Sequence, residues 1–196
     1  PNKHLLDLIK KRQSYRRKMA PAKLPSSFQA ACVQSLQDLK GVSVHLVEGH
    51  SAIEKIAELT GKGMKLALSS PEFRSELGDL IHYNWSSART GMPGYVLNRG
   101  ALGSVWEKWS IMHGWALSKK AHADEQKVLD ASGLIFIATK GDVPKFWLQA
   151  GRAYLRIALQ LTNTDFVHST IAAPVEAASF HEDIEQLLGT KHPSKR

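Results

Sequence analysis

The sequence has little cysteine and no long apolar run. Cys32 is the single cysteine in 196 residues, so an internal disulfide cannot form. A lone thiol is typical of a reducing compartment, and we expect a cytoplasmic protein. No apolar stretch is long enough to cross a bilayer, so we expect no membrane association.

Several sequence motifs with known chemistry are also missing. GKGMK (61–65) lacks the glycine-lysine-Ser/Thr ending of a phosphate loop, and no GxGxxG follows a predicted strand. No GxSxG nucleophile elbow occurs, and the nine histidines show neither HExxH nor paired metal spacing. The sequence therefore favours neither a hydrolase nor a metal site.

Positive charge is abundant and unevenly placed. The chain has 26 Lys and Arg against 18 Asp and Glu, a net charge of +8. Six cations lie within IKKRQSYRRK (9–18), and three more, Lys191, Lys195 and Arg196, lie near the other end. Such clusters suit a nucleic-acid backbone, a membrane surface, or one phosphate group held between them.

The pattern of apolar residues predicts one α+β domain over residues 1–196. Helices are expected at 3–13, 27–39, 51–68, from 71 onward, at 104–120, from 144 onward, and shortly before 188. Capping boxes are predicted at Ser51 and Ser104, and a serine cap at Ser70. Strands are expected at 42–47, 133–139 and 166–171, with 133–139 covered on both faces.

Three tryptophans recur on the helix predicted at 104–120. Trp106, Trp109 and Trp115 could form a platform on which nucleic-acid bases stack. Such a stripe is more often core or a subunit interface, and we expect one of those two.

Two segments resemble the nitroreductase family of flavoproteins. Residues 12–16 (RQSYR) match the basic-x-Ser-x-basic signature that follows the family's first helix. Residues 141–176, from GDVPKFWLQAGRAYL to IAAPVE, are similar to the family's Trp-Leu-x-Ala-Gly helix, the strand after it and a Pro-hydrophobic-Glu loop. SSPEFRSELGDLIHYNW (69–85) with RTGMPGY resembles a branch in which two related halves are fused.

The resemblance implies a three-layer α-β-α fold, with a small mixed, mainly antiparallel sheet flanked by helices. It also implies a homodimer, or pairing with a related half-domain, with the tryptophan helix and Met92–Tyr95 as interface pieces. Because the chain begins like the second half of the fused branch, we expect it to be the latter part of a longer protein.

FMN is the cofactor that the resemblance implies, and no metal accompanies it. Arg12 and Ser14 would bind its phosphate and ribityl chain, Gln13 between them would belong to the same cofactor-binding segment, and Arg16 would reach the pyrimidine edge of the ring. Lys195 or Arg196 would also meet the phosphate. After Pro174 and Val175, the backbone N–H groups of Glu176 and Ala177 would approach flavin N5, so no side chain needs to act as an acid or base.

The activity implied is hydride transfer from NAD(P)H through flavin N5 to a nitroaromatic, a quinone or a similar acceptor. The family's Pro-Ser-x-x-Asn-x-Gln-Pro-Trp loop, which contacts the flavin ring, has no counterpart here. This departure keeps open an alternative: a domain that stores FMN without turnover. A nucleic-acid-binding module, driven by the two basic clusters, ranks behind both flavin interpretations because one phosphate already accounts for them.

Overall fold

Helices make up most of the chain, and a short two-stranded ribbon lies among them. The structure, a computed structural model, describes residues 3–20, 22–177 and 180–189. The helices are α1 Lys3–Lys11, α2 Ser26–Leu36, α3 His50–Ser69, α4 Pro71–Leu80, α5 Ala101–Met112, α6 Leu117–Leu129, α7 Pro144–Asn163, α8 Ala173–Glu176 and α9 Phe180–Leu188. The strands are β1 Val42–Val47, β2 Ile81–His82, β3 Met92–Pro93 and β4 Leu134–Thr139. This content is α+β, as predicted.

β1 and β4 form an antiparallel ribbon with register from Val42↔Thr139 to Val47↔Leu134. Successive side chains of a strand point to opposite faces. The β4 side chains on one face therefore pack with α2 and α7, and those on the other face pack toward α3. On the first side lie Phe28, Cys32, Ile157 and Leu161, with Ile135 and Ile137 against them. On the second lie Val47, Ile53, Ile56, Ala57 and Val128, with Leu134 and Phe136. Helices therefore cover both faces of the ribbon.

The third predicted strand, 166–171, does not join this ribbon, so that prediction is wrong. Among the described residues, this segment forms one bridge, a parallel pairing of His168 with Ser14, and the sheet contains only β1 and β4. The β-branched residues favour an extended backbone, and the segment is extended enough to form the bridge. Their pattern does not say which edge it will pair with.

Helix boundaries show which capping signals are used. Ser70 caps α4 as predicted: its Oγ accepts the N–H of Phe73 at 3.2 Å. Ser51 and Ser104 are not caps, because α3 begins at His50 and α5 at Ala101. Inside α5, the Ser104 hydroxyl instead donates to the carbonyl of Ala101 at 2.6 Å.

The helix predicted over 104–120 is two helices. α5 ends at Met112, and α6 begins at Leu117 and continues to Leu129, beyond the predicted end. Between them Gly114 and Ala116 have φ of 72° and 55°, a left-handed conformation that stops an α-helix. Glycine adopts it at little cost and signals the break, whereas alanine gives no such warning.

Gly63 explains why α3 carries glycine in its interior. A Cβ added there would lie 2.5 Å from the carbonyl oxygen of Ala173, at the start of α8. The missing side chain lets α8 pack directly on α3, and this contact fixes the turn that contains Pro174.

Candidate functional site

A cavity of about 710 Å³ lies beside β4, between the ribbon and the 165–171 segment. Its size is in the range of small-molecule sites, and its walls are mainly apolar. The apolar lining comes from Met19, Leu24, Ile56, Val128, Ile135, Ile137, Ile157, Leu161, Phe166, Ile171 and Leu188. The cavity is therefore suited to a flat, largely apolar ligand.

A small polar cluster interrupts these apolar walls. The Tyr154 hydroxyl lies 3.1 Å from His168 Nε2 and 3.3 Å from Thr170 Oγ1, and all three residues line the cavity. Burial lowers the pKa of His168, and the positive charge of Arg12 lowers it further. At neutral pH the imidazole is therefore uncharged and can exchange a hydrogen bond with the phenol.

The N-terminal basic segment reaches the same wall from outside. The N–H of Tyr15 donates to the His168 carbonyl at 2.8 Å, in the bridge that pairs Ser14 with His168. Arg12 follows α1 and is partly buried, and its charge acts on the His168 ring. Two of the predicted phosphate ligands, Arg12 and Ser14, thus lie beside the polar cluster.

The other predicted residues of this segment are more exposed. Gln13 and Arg16 are both exposed, whereas Arg12 and Ser14 are partly buried, and none of residues 12–16 contributes to the lining of the cavity. The contact of Arg16 with the pyrimidine edge of a flavin stays a prediction. Lys195 and Arg196 lie outside the described residues.

The predicted proline loop forms α8 and borders the cavity. Pro174 is buried and, with Val175, lines the cavity. The N–H of Glu176 donates to the Ala172 carbonyl at 3.0 Å, and that of Ala177 donates to Ala173 at 3.2 Å. Both amides are thus occupied within the turn, and a contact with flavin N5 would require this turn to open.

Within the described residues, one hydrogen-bonding edge of β4 is covered by no strand. The N–H of Lys140 donates to the Gly41 carbonyl at 2.9 Å. This bond shows which β4 residues point their backbone groups toward β1, because every second residue of a strand does so. The backbone groups of Phe136 and Ala138 therefore face β1, and those of Ile135 and Ile137 point to the opposite edge, which lines the cavity. Within the described residues, no other segment hydrogen-bonds to the backbone of Ile135 or Ile137.

These features are chemically compatible with FMN. The volume admits a tricyclic ring, and the apolar walls suit its faces. The unpaired backbone groups of β4 can serve the ring's polar edge, and Arg12 and Ser14 can serve a phosphate.

The Tyr154–His168–Thr170 cluster was not predicted as a site. Its sequence signal was the alternate spacing of His168 and Thr170, which places both on one side of an extended segment.

A second surface stands apart from the cavity. Its residues, here called the tryptophan face, are Leu102, Val105, Trp106, Trp109, Met112 and Trp115. The tryptophans are exposed by 55%, 40% and 56%, which excludes a place in the core. Trp106 stacks on Trp109 with ring centroids 5.1 Å apart, and Trp109 stacks on His113 at 4.7 Å.

Other classes of site find no support in the described part of the chain. Among those residues no cluster of three His, Cys, Asp or Glu side chains is placed to hold a metal ion. None of the described helices combines the length and apolarity needed to cross a bilayer. Comparison with protein-family models, curated proteins and solved structures gives no match in any of the three.

Proposed function

We propose that this chain is a nitroreductase-like, FMN-dependent oxidoreductase whose flavin ring occupies the cavity beside β4. The observation that carries the proposal is one of position. The polar cluster at His168 and the Pro174 turn both line one apolar cavity, and the basic segment 12–16 is held next to the cluster by the bridge between Ser14 and His168. The finer fold belongs to the same proposal: a three-layer α-β-α domain that pairs with a second copy or a related half-domain.

In this proposal the chain's own residues bind and orient the cofactor. Arg12 donates charged hydrogen bonds to the phosphate, and the Ser14 hydroxyl adds another. The apolar walls exclude water from the ring, and the Tyr154 phenol, hydrogen-bonded to the neutral His168, can donate a proton to a reduced acceptor. The bound flavin would accept a hydride from NAD(P)H and pass it to a nitroaromatic, a quinone or a similar molecule.

A second candidate function is storage of FMN without turnover. The amides of Glu176 and Ala177 are bonded within α8, so the donors expected at flavin N5 are not free. A flavin held without these contacts would lack the polarisation that favours hydride transfer. This observation favours a binding domain over an enzyme.

One spectroscopic experiment separates these functions. The purified protein is loaded with FMN, desalted and followed by visible absorption under anaerobic conditions while NADPH or NADH is added. If the chain is an enzyme, we expect the flavin absorption bands to remain after desalting, to bleach when NADPH or NADH is added, and to return when a quinone is added. Storage predicts retained bands that do not bleach, and flavin bands lost on desalting contradict both functions.

A further inference from the structure

The edge of β4 that faces away from β1 offers four hydrogen-bonding groups from Ile135 and Ile137, which alternate between donor and acceptor. The Ile135 N–H, the Ile135 C=O and the Ile137 N–H point away from β1 toward the cavity, giving donor, acceptor, donor. Backbone groups that face an apolar space are costly unless a partner satisfies them. The first three of these groups therefore match a ligand with the complementary order of acceptor, donor, acceptor.

We propose that this edge binds the imide end of the flavin ring, an inference that rests on the proposed function. The imide presents C4=O, N3–H and C2=O in line, which is the order the strand edge requires. Both the strand edge and the ring are planar, so the imide groups can hydrogen-bond to the edge in one plane. Arg16, which the resemblance assigned to this end of the ring, is exposed and outside the cavity lining.

The position of Arg12 agrees with this assignment. The β4 edge forms one wall of the cavity, and the segment with His168, beside Arg12 and Ser14, forms another. A ring whose imide end contacts the first wall can extend its phosphate arm toward the second. The two polar ends of FMN thereby meet different elements, and the apolar walls contact the ring between them.

Amide hydrogen exchange tests the proposal within a single strand. In the FMN-free protein we expect the amides of Ile135 and Ile137 to exchange at least tenfold faster than those of Phe136 and Ala138, which bond to β1. FMN binding should slow amide exchange at Ile135 and Ile137 and leave the exchange rates of Phe136 and Ala138 nearly unchanged. Slow exchange at Ile135 and Ile137 without FMN would mean that a peptide segment already pairs with this edge, and would overturn the proposal.

A modified ligand provides the second arm. Methylation at N3 removes the central donor and adds bulk, so we expect N3-methyl-FMN to bind at least about tenfold more weakly than FMN. Equal affinity for the two, with no new protection in β4, would overturn the imide assignment and leave the proposed function standing. If FMN itself fails to bind, the proposed function is contradicted, and this inference with it.

Discussion

The cavity and the tryptophan face are two places where the chain leaves apolar surface unburied, and they differ in shape and in polar chemistry. The cavity is concave and contains the Tyr154–His168–Thr170 cluster together with unpaired backbone groups of β4. The tryptophan face is exposed and lines no part of the cavity, and its rings stack on each other. A concave apolar space with a few polar groups selects a small molecule, whereas an outward aromatic surface selects another surface.

This difference gives separate expectations for the two regions. Changes at the rim of the cavity should alter flavin affinity and leave assembly untouched. Changes on the tryptophan face should alter assembly and leave flavin affinity untouched, because its residues do not line the cavity. Four predictions test this separation, and they are ordered from the largest expected effect to the smallest.

Removing the arginines of the basic segment should have the largest effect. We expect Arg12→Ala with Arg16→Ala to weaken FMN binding by about 3 kcal/mol, roughly 100-fold, since charged hydrogen bonds to phosphate are lost. Riboflavin, which has no phosphate, should bind with nearly unchanged affinity. Fluorescence titration measures both, and Lys10→Ala with Lys11→Ala on the exposed part of α1 is the matched control. Unchanged FMN affinity in the double arginine variant would refute the phosphate assignment.

Gly63→Ala tests how α8 is held against the cavity. The new methyl group would press on the Ala173 carbonyl, and we expect a loss of about 1–3 kcal/mol in the free energy of unfolding. Gly151→Ala in α7 is the control, because no atom lies within 4 Å of its added Cβ. That variant should be stabilised by about 0.5–1 kcal/mol. Urea denaturation compares the two, and equal stabilities would show that α8 does not pack as described.

The tryptophan face is tested by Trp106→Ser with Trp109→Ser. If this surface pairs with a second copy, each truncation should cost more than about 1 kcal/mol of association, and the variant should sediment as a monomer at concentrations where the unaltered chain is a dimer. FMN affinity should not change. If the variant and the unaltered chain sediment with the same coefficient, the tryptophan face is not the dimer interface.

The smallest expected effect concerns pH. The pKa of His168 lies below its usual value of 6.5 in the folded chain, so the unfolded chain binds this proton more readily. Stability should therefore fall as the pH drops below about 6.5 and stop falling, for this group, below the folded pKa. Denaturation of His168→Gln between pH 7 and 5 should show a shallower fall. A fall as steep as in the unaltered chain would assign the effect to other groups.

The sequence predicts elements better than it predicts how they meet. β1, β4 and the Ser70 cap follow from local patterns, because alternation and capping depend on neighbouring residues. The pairing of Ser14 with His168 joins residues far apart in sequence, and no local pattern specifies it. The break near Ala116 was missed because alanine carries no local signal for a left-handed backbone.

The candidate site divides in the same way. Charge density and the RQSYR motif draw attention to Arg12 and Ser14 in the sequence alone. Whether an edge of β4 is open depends on how strands from distant parts of the chain pair, and the residue types within β4 do not indicate this. The α8 hydrogen bonds of Glu176 and Ala177 likewise follow from the turn geometry and not from residue types.

The central claim is that one FMN binds in the cavity beside β4. Titration of FMN with the purified chain, followed by flavin fluorescence, tests it most directly, since a ring packed among apolar walls and beside Tyr154 should be quenched. We predict saturable quenching at one FMN per chain, with a weaker response to riboflavin. Flavin fluorescence that stays unchanged at a molar excess of protein would contradict the account.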